Sequence, residues 1–218
     1  MPPAKNLDLH GNAPDCASAV LLMVDVINDM EYEGGDKLFE QALPMAGRLA
    51  ALKRRARAAG LPVIYANDNF GRWRSDFREV VGCCLARGVT GRPLAELLAP
   101  EDDDYVVLKP KQSAFYATPL AVLLRQLDVD DLIITGIAGD GCVLVTAYDA
   151  HLREFRVHVP EDCTASQTRA RNRRALQQIR AALDGDTRPS NTLLEHLQQP
   201  PPAPGERRRP PPAHRGVH

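Results

Sequence analysis

The sequence predicts an α/β fold in which a mostly parallel sheet of five or six strands is covered by helices on both faces. Short apolar runs of strand length alternate along the chain with stretches of helical periodicity, which is typical of parallel α/β domains. The runs are apolar at successive positions, as expected for strands that are buried on both sides. A length of 218 residues, of which 44% are hydrophobic and 25% charged, suits one globular domain with short ends.

Five segments have the length and the residue types of buried strands. Most of their residues are β-branched or aliphatic, and turn or helix signals bound each segment. The predicted strands are Ala19 to Val24, Pro62 to Ala66, Tyr105 to Leu108, Leu132 to Thr135 and Arg156 to Val159. The order of these strands in the sheet does not follow from the patterns.

Helical periodicity separates several of the strands. A first helix is predicted to start at Pro44, which suits a first turn, and to end at Gly60. Thr118 and Pro119 form an N-cap and a first helical position for a second helix. Cys142 opens another. The apolar stripes that define the helices are Met45, Leu49, Leu52, Ala56 and Ala59; Leu120, Leu123, Leu124 and Leu127; Val143, Thr146, Ala147 and Ala150; and Ala175, Leu176, Ile179 and Leu183.

The composition divides the chain into three parts. Pro200 to His218 is rich in proline and arginine and has almost no apolar side chains, so we expect residues 198–218 to form a disordered tail. Residues 1–17 are expected to form a flexible N-terminal arm. The domain itself is predicted to cover residues 18–197.

Several classes of protein are disfavoured by charge and composition. A net charge of -1 gives no general attraction for nucleic acid, and neither a signal peptide nor an apolar run of membrane-spanning length is visible. We therefore expect a cytoplasmic protein that binds neither nucleic acid nor membrane. The five cysteines are odd in number and lack C-x-x-C spacing, which argues against a disulfide framework and a structural zinc site.

Reactive side chains follow three of the predicted strands. Asp25 follows the first, Lys109 the third, and a glycine-rich turn after the fourth leads to Cys142. Because ligands of open α/β sheets bind beyond the carboxyl ends of the strands, these three side chains are expected to face one crevice. Singly, each has an ordinary explanation, namely a strand-end cap, a solvated charge and a small buried residue.

Together, the three residues suit acyl transfer to water. A helix N-terminus and a neighbouring ammonium both favour a thiolate, so Cys142 is expected to be nucleophilic at neutral pH. Asp25 is the candidate base, and Lys109 would hold Asp25 and stabilise developing negative charge. Backbone N–H groups of Ala138 and Cys142 could form an oxyanion hole.

Three segments resemble the signature segments of the isochorismatase-like cysteine hydrolases. They are Leu22 to Met30, Leu108 to Thr118 and Thr135 to Val143, and Arg156 to Ser166 matches the next strand and turn of that family. The resemblance implies a three-layer α/β/α fold, a triad of Asp25, Lys109 and Cys142, and a cis peptide between Ile137 and Ala138. It also implies hydrolysis of C–N bonds in amides, ureides or carbamoyl compounds, or of a vinyl ether, and a homo-oligomer.

Three departures from the family pattern refine this expectation. The nicotinamidase branch carries an Asp-x-His metal motif, whereas this chain has Asp68-Asn69-Phe70, so we expect no metal and no cofactor. Ile27 replaces a usual glutamine. Family members that cleave a vinyl ether typically lack the cysteine, so Cys142 favours cleavage of an amide-type bond.

Aromatic residues on loops beyond the strand ends are candidates for binding the substrate. They are Phe70, Trp73, Phe115 and Tyr116. Ordinary packing explains each of them equally well. The sequence thus predicts a cysteine-dependent, metal-independent hydrolase of a small-molecule C–N bond. Two alternatives stay open, a non-catalytic binding or scaffold protein on the same fold and a hydrolase of C–O bonds.

Overall fold

The computed structural model describes residues 17–71 and 76–197. Most of the predicted N-terminal arm, the whole predicted tail of residues 198–218, and the candidate Trp73 lie outside the described residues. The predicted domain boundaries therefore stay predictions. Within the described residues, no helix is long and apolar enough to span a membrane.

In the described residues, six parallel strands form one sheet. Five of them follow the order β3-β2-β1-β4-β5, and the short β6 pairs with β4 past the end of β5. All five predicted strands are present, and their observed bounds differ from the predicted ones by at most two residues. The strands are β1 (Ala19–Val24), β2 (Val63–Asp68), β3 (Tyr105–Lys109), β4 (Asp131–Ile137), β5 (Arg156–His158) and β6 (Thr164–Ala165). The predicted fold class is confirmed.

Helices cover both faces of the sheet. Their bounds are α1 (Gly35–Ala58), α2 (Phe77–Cys84), α3 (Arg92–Leu97), α4 (Leu120–Gln126), α5 (Leu144–Leu152), α6 (Arg169–Leu183) and α7 (Ser190–Leu197). Two short helical turns, Gly139–Val143 and Glu161–Cys163, precede α5 and β6. Three helices, α2, α3 and α7, have no counterpart among the predicted elements, because with 8, 6 and 8 residues they are too short to show a repeated apolar stripe.

Two separate apolar cores lie on the two faces of the sheet. In β1, Leu21 and Met23 point into the core beneath α1, α2, α3 and α7, whereas Leu22 and Val24 point into the core beneath α4, α5 and α6. Every residue of β1 is buried. Alternate side chains of one strand thus supply both cores, which explains why the strands are apolar at successive positions.

The first helix begins earlier than predicted. It starts at Gly35, and Pro44 lies inside it rather than in its first turn. A proline in a helix removes one N–H donor, so the carbonyl of Glu40 loses its partner. Because Pro44 and Glu40 are both exposed, water can solvate that carbonyl. The predicted end is correct, since α1 stops at Ala58 and Gly60 follows with a φ of 73°.

Candidate active site

The three reactive residues are held at the carboxyl edge of the sheet by different strands. Asp25 follows the last residue of β1, Lys109 is the last residue of β3, and Cys142 lies in the helical turn that follows β4. In the sheet, β2 lies between β1 and β3, and its last residue is Asp68. Lys109 therefore reaches past the end of β2 to meet the other two side chains.

The ammonium group of Lys109 connects the other two reactive groups. Its Nζ lies 2.8 Å from Asp25 Oδ2 and 3.4 Å from Cys142 Sγ. It also donates to the carbonyl of Lys111 at 3.0 Å. These contacts use the three N–H donors of a lysine, and the side chain is fully buried. Lys109 is thus fixed in position between the carboxylate and the sulfur.

Asp25 is a buried carboxylate with a defined set of donors. Its Oδ1 accepts a hydrogen bond from the backbone N–H of Asp68 at 2.7 Å, and only 7% of its side chain is exposed. The thiol of Cys142 lies within hydrogen-bonding range of the same carboxylate. Burial raises the pKa of Asp25 above its ordinary value, although Lys109 and the other donors act in the opposite direction. A raised pKa makes Asp25 a better proton acceptor than an exposed aspartate.

The surroundings of Cys142 oppose ionisation of its thiol. Burial, followed by the negative charge of Asp25, raises the pKa of Cys142 to about 12, although Lys109 lowers it. The charge of Lys109 is shared with Asp25, so it does not offset the effect of burial. The expected thiolate at neutral pH therefore stays a prediction, and the site without a substrate does not favour it. Burial acts to lower the pKa of Lys109, but the facing Asp25 and Cys142 outweigh it and raise this pKa.

The turn that carries the cysteine is anchored on both sides. A Cβ at Gly136 would lie 2.1 Å from the carbonyl oxygen of Val24, so this position admits only glycine in the observed backbone. The peptide bond between Ile137 and Ala138 is cis. Ser166, which follows β6, accepts a hydrogen bond from the N–H of Asp140 at 3.0 Å. These contacts hold the backbone around Ala138 and Cys142 beside Asp25.

The buried side chain of Asn67 binds the backbone of Ile27, the residue that replaces the family's usual glutamine. Asn67 Oδ1 accepts from the N–H of Ile27 at 3.1 Å, and Asn67 Nδ2 donates to the carbonyl of Ile27 at 2.9 Å. The Asn67 side chain thereby binds both polar groups of the residue two positions after Asp25. Sequence reasoning missed Asn67, although a polar residue directly after the apolar run of Pro62 to Ala66 was a usable signal.

Asp68 is a second functional candidate that the sequence reasoning did not assign. Its backbone binds Asp25, as described above, and its Oδ2 lies 3.9 Å from Lys109 Nζ. Its Oδ1 accepts from the N–H of Phe70 at 2.6 Å. Because 38% of the side chain is exposed, Asp68 faces the solvent beside the buried Lys109.

The aromatic candidates occupy different environments. Phe70 is partly buried against the core beneath α1, and Tyr116 is 60% exposed. Phe115 is only 4% exposed, its ring stacks on Phe155, and Arg153 covers it at 5.0 Å. Phe115 is therefore packed inside the protein, and a part for it in binding the substrate stays a prediction.

The described residues offer no set of metal ligands. No group of three or more His, Cys, Asp or Glu side chains in residues 17–71 and 76–197 is placed to hold a metal ion. At the position of the family's metal-binding histidine, Phe70 has no ligand atom. These residues therefore do not fit the metal of the nicotinamidase branch.

The chain is similar to several known proteins. The uncharacterized isochorismatase family protein YaaI of Bacillus subtilis is 37% identical over 179 residues, which cover 82% of this chain and 98% of YaaI. The ureidoacrylate amidohydrolase RutB of Methylorubrum extorquens is 32% identical over 178 residues, covering 69% of this chain and 71% of RutB. A solved cysteine hydrolase from Pseudomonas syringae superposes with a TM-score of 0.65 at 25% identity, covering 82% of this chain and 92% of that one.

The family model gives the most general result. The model described as the isochorismatase domain matches residues 19–185, which include all six strands and the whole of the candidate site. The resemblance stated from the sequence motifs is thereby confirmed, and the chain belongs to the isochorismatase family.

Proposed function

We propose that this protein is a cysteine-dependent hydrolase that cleaves a C–N bond of a small amide, ureide or carbamoyl compound through a thioester, without a metal. The observation that carries the proposal is the position of Lys109 Nζ, which contacts Asp25 Oδ2 at 2.8 Å and Cys142 Sγ at 3.4 Å. A nucleophile, a base and a cation that holds the base are the parts that acyl transfer requires.

The first half of the reaction forms the thioester. Asp25 takes the thiol proton as Cys142 Sγ attacks the substrate carbonyl carbon. The resulting oxyanion accepts hydrogen bonds from the backbone N–H groups of Ala138 and Cys142. The C–N bond then breaks, and Asp25 gives its proton to the departing nitrogen. Because burial raises the pKa of the Cys142 thiol, its proton leaves as the attack occurs rather than before it.

The second half of the reaction regenerates the enzyme. Asp25, again ionised, takes a proton from a water molecule whose oxygen attacks the thioester carbonyl. The C–S bond breaks, the proton returns to the sulfur, and the acid product leaves. Lys109 keeps its proton throughout and holds Asp25 in place, which its raised pKa supports.

The relatives support the same class of chemistry. RutB is named an amidohydrolase, and the Pseudomonas syringae protein is named a cysteine hydrolase. Ureidoacrylate, the compound in the name of RutB, is a small molecule, which supports a small-molecule substrate rather than a polymer for the proposed reaction.

A screen for ammonia release tests the proposal. We expect the wild-type protein to release ammonia from at least one member of a panel of small primary amides, ureides and carbamoyl compounds. Cys142→Ala should lower that turnover by about a thousandfold or more and keep the thermal unfolding midpoint within a few degrees. Cys163→Ala is the matched control, because Cys163 is buried in the core beneath α1 and should be dispensable for turnover.

Three results would contradict the proposal. Retained turnover in Cys142→Ala would reject the nucleophile, and turnover of an enol ether without ammonia release would identify a C–O hydrolase. A wild-type protein that binds amides tightly without turnover of any panel member would instead be the binding protein of the second alternative.

A cytoplasmic location and a homo-oligomeric state also belong to this proposal. Exposed apolar side chains on one side of α5 support self-association, since Val145, Tyr148 and Leu152 are 41%, 38% and 79% exposed. Light scattering of the purified protein measures the oligomeric state, and a monomer at micromolar concentration would contradict it.

A further inference from the structure

Asp68 occupies a central place in the candidate site because of the strand order. It ends β2, which lies between the strand that leads to Asp25 and the strand that ends at Lys109. Its backbone pairs with that of Lys109 in the sheet, and its N–H binds Asp25 Oδ1. The carboxylate of Asp68 therefore stands beside the reactive groups, and the sheet fixes its position.

One oxygen of this carboxylate is committed, and the other is not. Asp68 Oδ1 accepts from the N–H of Phe70, whereas no donor among the described residues forms a hydrogen bond with Asp68 Oδ2. Lys109 Nζ lies 3.9 Å from Oδ2, but its three donors already bind Asp25, Cys142 and the Lys111 carbonyl. Within residues 17–71 and 76–197, Oδ2 is thus an acceptor without a donor, on a side chain that is 38% exposed beside Lys109.

The charges around Lys109 point in the same direction. Two carboxylates, Asp25 and Asp68, face the single ammonium of Lys109, so the formal charges of these three groups sum to -1. Asp25 is almost completely buried, but 38% of the Asp68 side chain is exposed. A substrate that approaches Cys142 therefore meets the negative charge of Asp68, with an acceptor oxygen available.

We infer that Asp68 determines specificity in this site: its carboxylate accepts a hydrogen bond from an N–H group of the bound amide or ureide and disfavours a substrate that carries a carboxylate there. The inference rests on the proposed function for the identity of the substrate. It concerns binding rather than bond cleavage, so it is tested separately from turnover.

Two alkylating reagents of nearly equal size test the inference without a known substrate. According to the inference, the site favours one of them and disfavours the other. Iodoacetamide carries a neutral amide with two N–H donors, whereas iodoacetate carries a carboxylate. Each forms the same bond between its methylene carbon and Cys142 Sγ, and iodide leaves. The ratio of the two alkylation rates, followed by mass spectrometry of the Cys142 peptide, cancels any difference in ionisation of the thiol.

In the wild type we expect this ratio of iodoacetamide to iodoacetate rates to exceed that of N-acetylcysteine by about tenfold. Asp68→Asn removes the charge and keeps an oxygen for the N–H of Phe70, and it should lower the ratio by about fivefold. Asp68→Glu keeps the charge and should keep most of the ratio. Asp102→Asn is the matched control, because the exposed Asp102 precedes β3 at the other edge of the sheet and its loss changes net charge alone.

An unchanged ratio in Asp68→Asn, or an equal fall in Asp102→Asn, would overturn the inference. The inference would also be overturned if the ratio of iodoacetamide to iodoacetate rates at Cys142 of the wild type were lower than that of N-acetylcysteine. Thermal unfolding checks each variant, and Asp68→Ser tests the same loss of charge if the asparagine variant does not fold.

A turnover experiment separates this inference from the proposed function. We expect KM for 4-carbamoylbutanoate to exceed KM for pentanediamide by about tenfold in the wild type, and Asp68→Asn to narrow the difference. If neither amide is hydrolysed but the alkylation ratio falls in Asp68→Asn, the recognition role stands and these substrates are wrong. If both are hydrolysed with equal KM in the wild type and the variant, the recognition role is wrong and the proposed function stands.

Discussion

The two ends of the sheet each hold a buried aspartate with a basic partner, but the two clusters have opposite properties. At the carboxyl edge, Asp25 meets Lys109 and Cys142, and burial raises its pKa. At the amino end of β4, Asp131 accepts from the guanidinium of Arg156 at 2.9 Å and lies 2.7 Å from His158 Nε2. Burial would raise the pKa of Asp131 too, but hydrogen bonds from His158 and Arg156 lower it.

The difference shows that a buried ion pair does not by itself mark a reactive site. Asp131 receives several donors and holds its charge, so it can connect β4 to β5 but cannot easily take a proton. Asp25 lies beside a thiol, and burial raises its pKa, so it can accept a proton. The direction of the pKa shift and the presence of a nucleophile thus distinguish the proposed catalytic cluster from the Asp131 cluster.

The strongest way to break this comparison is to neutralise each aspartate in turn. Asp25→Asn removes the base and should lower kcat/KM by about a thousandfold, within the range for loss of a positioned general base. Asp131→Asn should change kcat/KM less than threefold. Steady-state ammonia release on one accepted substrate measures both. Equal losses in the two variants would remove the distinction.

The pH dependence of turnover gives the next largest effect. Asp25 must be ionised to take the thiol proton, so kcat/KM falls on the acid side as Asp25 becomes protonated. Because its pKa is raised above 3.8, this acid limb should lie above the range of an ordinary aspartate and should fall about tenfold per pH unit. A profile that stays flat down to pH 4 would contradict the role of Asp25.

The cluster around Asp131 should affect the free energy of unfolding rather than turnover. Asp131→Asn should lower the free energy of unfolding at pH 7 by about 2 kcal/mol, since charge-assisted hydrogen bonds to a buried group are lost. The pKa of Asp131 is lower in the folded protein, so this contribution is present above its unfolded pKa and is lost as the pH falls through the folded one. Urea unfolding at pH 7 and pH 3 should therefore show the difference between the wild type and the variant shrink at pH 3. A difference that grows would contradict the pairing.

The smallest effect concerns the exposed partner in the same cluster. The Arg156 side chain is 62% exposed, and exposed ion pairs contribute little. Arg156→Gln should therefore lower the free energy of unfolding by less than about 1 kcal/mol, well below the effect of Asp131→Asn. A larger loss in the same urea experiment would show that Arg156, and not burial of Asp131, stabilises the amino end of β4.

The sequence was sufficient for the strands and for the three reactive residues, because apolar runs and the residues that follow them are local features. It was insufficient for Asp68, since its place between Asp25 and Lys109 depends on a strand order that no local pattern encodes. The start of α1 was missed because proline at a first turn is the commoner arrangement, and here Pro44 is tolerated on an exposed face. The raised pKa of Cys142 could not be predicted, because burial depends on packing across distant parts of the chain.

The strand order also determines when the site can exist during synthesis. β1 and β4 are neighbours in the sheet, yet β2, β3 and four helices lie between them along the chain. A ribosome that adds about 5–20 residues per second makes Asp25 on the order of ten seconds before Cys142. The nascent chain therefore contains Asp25 and Lys109 before it contains Cys142. The onset of hydrolytic activity would thus indicate that the central sheet is complete.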